Sequence, residues 1–255
     1  MHSRYGKIIL LFSLYFSQGL PFGFQATALP VYLRTQNIPL TAIGFTGALA
    51  LPWLLKLLWA PLIDRYGSYK LGRRKSWIIP LQLLQMITIL LTSMISPDAH
   101  LALLLCGIFF MNLFAATQDI AVDGLAVDIL ETKELGPANA AQVVGYKTGM
   151  LISGGLLVWL SAYFGWNGLF KVMAVLTAIP LILTMFYKED CKNVRYSEHI
   201  KIKQIIDKVV TAFRLPGSGW LILFIATYKI GETMIDVMFK PFLLDSGFTA
   251  PQIGL

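Results

Sequence analysis

The chain has 255 residues, 56% of them hydrophobic and only 14% charged, with a mean hydropathy of +0.66. That is too apolar for a soluble globule of ordinary composition and describes an integral, all-α membrane protein. Its net charge of +7 gathers in one set of connecting segments, so it reports membrane topology and gives no reason to propose nucleic acid as a partner.

Apolar runs predict helices over residues 7–33, 42–63, 77–95, 101–127, 138–160, 168–187 and 220–244. Each is near or above the roughly 20 residues that cross a bilayer. Seven spans follow, joined mostly by short loops. With the N-terminus cytoplasmic, the inner segments hold Arg4 and Lys7, then Arg65, Lys70, Arg73, Arg74 and Lys75, then Lys133, then the basic stretch after residue 187. That is most of the basic residues, as expected for cytoplasmic loops. Arg34, Lys171 and Lys240 fall outside, while Lys56, Lys147 and Lys229 fall within the membrane. The protein is therefore expected in a plasma or inner membrane, or in an organelle membrane. Arg4 and Lys7 ahead of an apolar run, with Ala26-Thr27-Ala28 as a small-x-small site, imitate a signal peptide, but the run continues unbroken to Leu33. Cys106 in the fourth span and Cys191 in a cytoplasmic loop lie too far apart to pair, and no cofactor or metal is implied.

Residues 1–187 read as a six-helix half, 188–218 as a cytoplasmic linker and 219–255 as the start of a second half. Within the linker, Ile200, Ile202, Ile205, Ile206, Val209, Val210 and Phe213 keep helical spacing against Lys201, Lys203, Lys208 and Arg214, which predicts an amphipathic helix on the inner leaflet or in solvent. After the linker the pattern of the first span restarts. Pro30, Pro39 and Ile43-Gly44 are echoed by Pro241, Pro251 and Ile253-Gly254, a sign of repeated halves. The chain stops where an eighth helix should begin, which suggests a fragment or truncated product that lacks its C-terminal half.

Ionisable residues in the apolar runs are costly and mark ion or substrate routes. Asp119 and Asp123 are four apart and share one face of the fourth span. Two carboxylates this close in a poorly hydrated cavity do not easily both hold full charge, a setting that suits proton carriage. Counting inward from the loop between the fourth and fifth spans, Asp119 and Lys147 both lie roughly 12 to 14 Å deep, so Asp119, Asp123 and Lys147 form a proton-coupling group, or Lys147 merely pairs with Asp119 and neutralises it. Lys229, Glu232 and Asp236 form one stripe on the seventh span, facing a central cavity or packing against another helix. Gln18 and Gln25 form the matching stripe on the first span, as hydrogen-bonding contacts to a polar substrate or to a neighbouring helix. Lys56, one turn after Pro52, snorkels or binds an anion. Gly145, Gly149, Gly154 and Gly155 predict close packing of the fifth span.

Between the second and third spans stands D-R-Y-G-S-Y-K-L-G-R-R-K, residues 64–75. Asp64 and Arg65 with Gly67, Gly72, Arg73 and Arg74 resemble the loop signature of the major facilitator superfamily, where an acid facing bases forms a latch. Four further stretches resemble the muropeptide permease and acetyl-coenzyme A transporter group within that superfamily: Q-G-L-P-F-G at 18–23, W-L-L-K-L-L-W-A-P-L-I-D-R at 53–65, A-T-Q-D-I-A-V-D at 116–123 and G-Y-K-T-G-M-L-I-S-G-G at 145–155. This resemblance implies a secondary transporter of twelve helices, with protons as coupling ion and a bulky anionic solute, muropeptide or acetyl-coenzyme A, as cargo. The implied partners are that solute, the lipid bilayer and the missing half. Two other readings stand beside it. One is an intramembrane Mg²⁺-dependent prenyl or phosphatidyl transferase, since Asp119, Asp123 and Asp128 echo aspartate-rich motifs. The other is a half that does not transport alone.

Overall fold

The structure is a computed structural model that describes residues 4–68, 71–95, 97–187, 211 and 215–254. Among the described residues every regular element is helical. The first crossing runs as α1 (Arg4–Gly23), a π-helical turn (Phe24–Ala28) and α2 (Leu29–Thr35). The second is pieced together from α3 (Leu40–Phe45), α4 (Leu51–Leu55) and α5 (Ala60–Arg65), linked by 3₁₀ turns. Pro52 and Pro61 explain the piecing, because each lacks the N–H that would continue the ladder. Then come α6 (Lys75–Thr92), α7 (Pro97–Ile129), α8 (Leu135–Leu151), a second π-helical turn (Ile152–Leu156) and α9 (Leu157–Phe186). The chain closes with α10 (Ser218–Asp245) and α11 (Ala250–Gly254).

Among the described residues five stretches are long and apolar enough to cross a membrane: Arg4–Thr35, Leu40–Leu58, Lys75–Thr92, His100–Ile129 and Thr132–Phe186. The last has 55 residues, about 80 Å of helix at ~1.5 Å per residue, more than twice a hydrocarbon core of about 30 Å. It breaks at Gly165, whose φ of 68° suits glycine, within the gap predicted between the fifth and sixth spans. The seventh predicted span coincides with α10. The predicted linker helix falls almost wholly outside the described residues, as does Cys191.

The predicted repeat has a structural counterpart. Asn37 (φ 58°) and Gly247 (φ 94°) end the first and seventh crossings in the left-handed region. Around them the N–H groups of Asn37 and Ile38 donate to the carbonyls of Arg34 and Leu33, and those of Gly247 and Phe248 donate to Leu244 and Leu243. Both turns are the same Schellman closure. Ile43 and Ile253, ten residues after Leu33 and Leu243, then enter one apolar cluster.

Two apolar clusters hold the bundle, one at each level of its thickness. Leu10, Leu11, Leu14, Ile63, Ile78, Ile120 and Leu125 belong to the first, and Leu20, Phe24, Ile43, Ile89, Ile108, Leu157 and Phe170 to the second. Along α1, α6 and α7 buried polar residues lie between the two, Ser17 and Gln18, Gln82 and Gln85, Asn112, Gln118 and Asp119, beside Leu81, Ala115 and Ala116. At this level α1 meets α8 backbone to backbone. A Cβ on Gly145 would lie 2.5 Å from the Phe12 carbonyl oxygen, and one on Gly149 would lie 3.1 Å from the Cα of Gly19. Gly145, Gly149 and Gly154 serve the packing predicted for the fifth span.

Candidate functional site

A cavity of about 320 Å³ opens between the first, second, fourth and fifth crossings, lined by Tyr15, Trp53, Asp119, Gln142, Val143, Tyr146 and Lys147. One wall is aromatic. The Phe22, Trp53 and Tyr146 rings stand in a triangle with centroids 6.0, 5.9 and 6.3 Å apart. Trp53 is fixed by donating its Nε1–H to Asn112 Oδ1 at 3.0 Å, and Lys56 Nζ lies 5.6 Å from its ring, a cation–π distance.

The carboxylates of the fourth crossing divide their partners. Asp119, 8% exposed, forms an ion pair with Lys56. Asp123, one turn on and exposed, accepts a hydrogen bond of 2.6 Å from Tyr15 Oη. The predicted pairing of Asp119 with Lys147 is thus corrected. The irregular turn Lys56–Leu58 brings the Lys56 ammonium to Asp119, while Lys147 lines the same cavity, exposed and with no ion pair among the described residues.

The glutamines predicted as substrate contacts lie away from the cavity lining. Gln18 is fully buried, and Gln25 donates its Nε2–H to the Thr46 carbonyl at 3.3 Å, bracing the first crossing against the second. Glu232 is exposed on α10. The side chains of Lys229 and Asp236 are outside the described residues.

At the end of the bundle where the chain begins, the 64–75 loop assembles a charge network. Arg74 donates to Asp64 at 2.6 Å and to Asp128 at 3.0 Å, and Arg73 reaches Asp128 at 3.4 Å. Burial opposes the Arg74 charge, but these hydrogen bonds outweigh it and hold the guanidinium above its ordinary range. Gly124 makes the room, since a Cβ there would fall on the guanidinium. Gly72 (φ 100°) turns the loop, and a Cβ on Gly67 would meet the Arg73 carbonyl oxygen at 2.6 Å. Arg65 stays outside the network, 5.7 Å from the Tyr66 ring. Asp128, at the end of the fourth crossing, is the second acid of this network. Nearby, Lys7 pairs with Glu134 at 2.9 Å, and the buried Lys75 ammonium caps α9 by donating to the carbonyls of Tyr187 and Met185.

A family model described as acetyl-coenzyme A transporter 1 matches residues 7–213. The chain belongs to that family. It is 31% identical to the anhydromuropeptide permease of Escherichia coli over its whole length, which covers 53% of that protein. It is also 31% identical to an uncharacterized protein of Haemophilus influenzae, over 94% of the chain and 57% of that protein. With a Rickettsia conorii protein that bears the name transporter AmpG 1 it shares 29% identity over 97% of the chain and 63% of that protein. The chain thus spans little more than half the length of these relatives, whose fold is that of the major facilitator superfamily.

Membership in the acetyl-coenzyme A transporter family, a family of transporters, takes the support from the transferase reading. The geometry agrees, because Asp119, Asp123 and Asp128 face Lys56, Tyr15 and the arginine pair respectively and do not converge on one point. Sequence reasoning missed Tyr15, Trp53, Gln142 and Tyr146 in the cavity wall. One signal pointed to Tyr146 and Trp53: each stands in a stretch that carries the family resemblance.

Proposed function

We propose that this chain forms the N-terminal part of a secondary transporter that moves a bulky anionic solute by alternating access, with protons as the coupling ion. In this reading residues 1–187 are one six-helix half, 188–218 a cytoplasmic linker and 219–255 the start of the second half. The N-terminus is cytoplasmic, and the network of Asp64, Arg73, Arg74 and Asp128 is the latch of the inner gate. The observation that carries the reading is the cavity wall itself. A buried carboxylate held by Lys56 and a lysine with no ion pair among the described residues line one space together with Tyr15, whose hydroxyl holds the second carboxylate, Asp123, one turn further along. Protonation of Asp119 would release the Lys56 ammonium to an anionic cargo, and Lys147 supplies a second positive charge. Coupling of proton and solute follows from that competition for one cation. The cargo class is proposed from the names of the relatives, anhydromuropeptide for one and acetyl-coenzyme A for the family.

The test is uptake of labelled anhydromuropeptide and of acetyl-coenzyme A by the full-length protein in vesicles. Uptake of one of them, collapsed by a protonophore and lost in Asp119→Asn or Asp123→Asn while the protein stays in the membrane, is expected. Normal uptake in both variants would remove the coupling assignment, and no uptake of either compound by correctly inserted protein would remove the cargo.

A further inference from the structure

Eight buried side-chain polar atoms have no hydrogen-bond partner among the described residues, and six of them belong to Gln18, Gln82, Gln85 and Gln118. All four glutamines are at most 2% exposed. Two of them converge on one residue, with Gln85 Nε2 donating to the Ser17 carbonyl at 3.3 Å and Gln118 Nε2 to Ser17 Oγ at 3.5 Å. The carbonyl is available because Pro21, four residues on, has no N–H to give it. Gln18 adjoins Ser17 in sequence, and Gln82 lies one turn before Gln85 on α6, which puts the four residues at one level of the first, third and fourth crossings.

The unpaired atoms are of both kinds. Gln18 and Gln82 each leave an amide N–H₂ and a carbonyl oxygen open, and Gln85 and Gln118 each leave a carbonyl oxygen. A cation would use only the oxygens and an anion only the N–H groups. The burial leaves no passage for a solute of cargo size. A small neutral molecule that both donates and accepts fits the set, and water does so with about three hydrogen bonds per molecule.

We propose that Gln18, Gln82, Gln85 and Gln118, with Ser17, hold a cluster of buried water between the first, third and fourth crossings, separate from the cavity. The site is independent of what the protein carries. It also gives Gln18 a role in place of the substrate contact expected for it.

Hydroxyl-radical labelling by X-ray radiolysis reads buried water directly, because the radical forms beside the side chain it marks. In the full-length protein, Leu14 and Ile78, one turn from Gln18 and Gln82, are compared with Leu104 and Ile108 in the second apolar cluster, all four fully buried. Labelling several-fold higher at Leu14 and Ile78 is expected, falling to the level of Leu104 and Ile108 in the Gln18→Leu/Gln82→Leu variant. Equal labelling of the two pairs in the unmodified protein would overturn the proposal. That comparison decides the matter even if the double variant fails to fold.

Discussion

Asp119 illustrates how one side chain is held in a costly place. A carboxylate this buried is tolerated because Lys56 neutralises it, and removing one partner leaves the other charge exposed to a poor solvent. Lys56→Met should therefore destabilise the protein by about 1 to 3 kcal/mol, toward the low end because Lys56 is partly exposed. In the Lys56→Met/Asp119→Asn double variant most of that loss should be recovered. Thermal unfolding in detergent checks it, and additive losses in the double variant would show that the pair is not coupled. A charge in an apolar run announces itself, so Asp119, Asp123 and Lys56 were legible in the sequence. Their partners were not. Depth counting placed Lys147 level with Asp119, but it assumes a regular helix, and Lys56 sits in a 3₁₀ turn that redirects its side chain. Tyr15 and Tyr146 carry no charge to mark them among the other aromatics of the apolar runs.

At the scale of the helix, contact between α1 and α8 depends on the absence of side chains. Gly149→Ala puts a methyl against the Phe16 carbonyl and should cost about 1 to 3 kcal/mol through overpacking. Gly136→Ala, with nothing within 4 Å of its Cβ, should leave the yield of folded protein unchanged. Comparing the two by size-exclusion chromatography after membrane extraction separates a packing effect from a general intolerance of alanine. Helix positions were readable because a bilayer imposes a minimum apolar length, and the break at Gly165 falls between two predicted runs. The two π-helical turns were not readable. Each ends on an N–H reaching five residues back, Leu29 to Phe24 and Leu157 to Ile152, and nothing in the local residue types distinguishes that from the ordinary ladder.

Across the whole molecule, charge is concentrated at the end where the chain begins. Arg74 is the hub there, so Arg74→Gln should lower the thermal midpoint markedly by leaving Asp128 with only the 3.4 Å contact to Arg73. Arg65→Ala, at an exposed residue outside the network, should shift it little. A midpoint equally sensitive to both would mean that loop charge in general, and not this constellation, matters. Hydrogen exchange on the full-length protein should resolve two protected blocks, one around Leu10 to Leu14 with Ile120 to Leu125 and one around Leu20 to Leu33 with Leu104 to Met111, following the two apolar clusters. A single uniform block would contradict that division. Where the clusters stop, the bundle is joined by amides, hydroxyls and glycine contacts, which re-form after a small rotation, whereas bending inside either cluster would open voids in close-packed hydrocarbon. Stiffness is therefore graded along the membrane normal, as two firm slabs meeting at a compliant seam. The cavity with Asp119 lies in that seam, so the compartment that would receive a solute is also the level at which the bundle yields first.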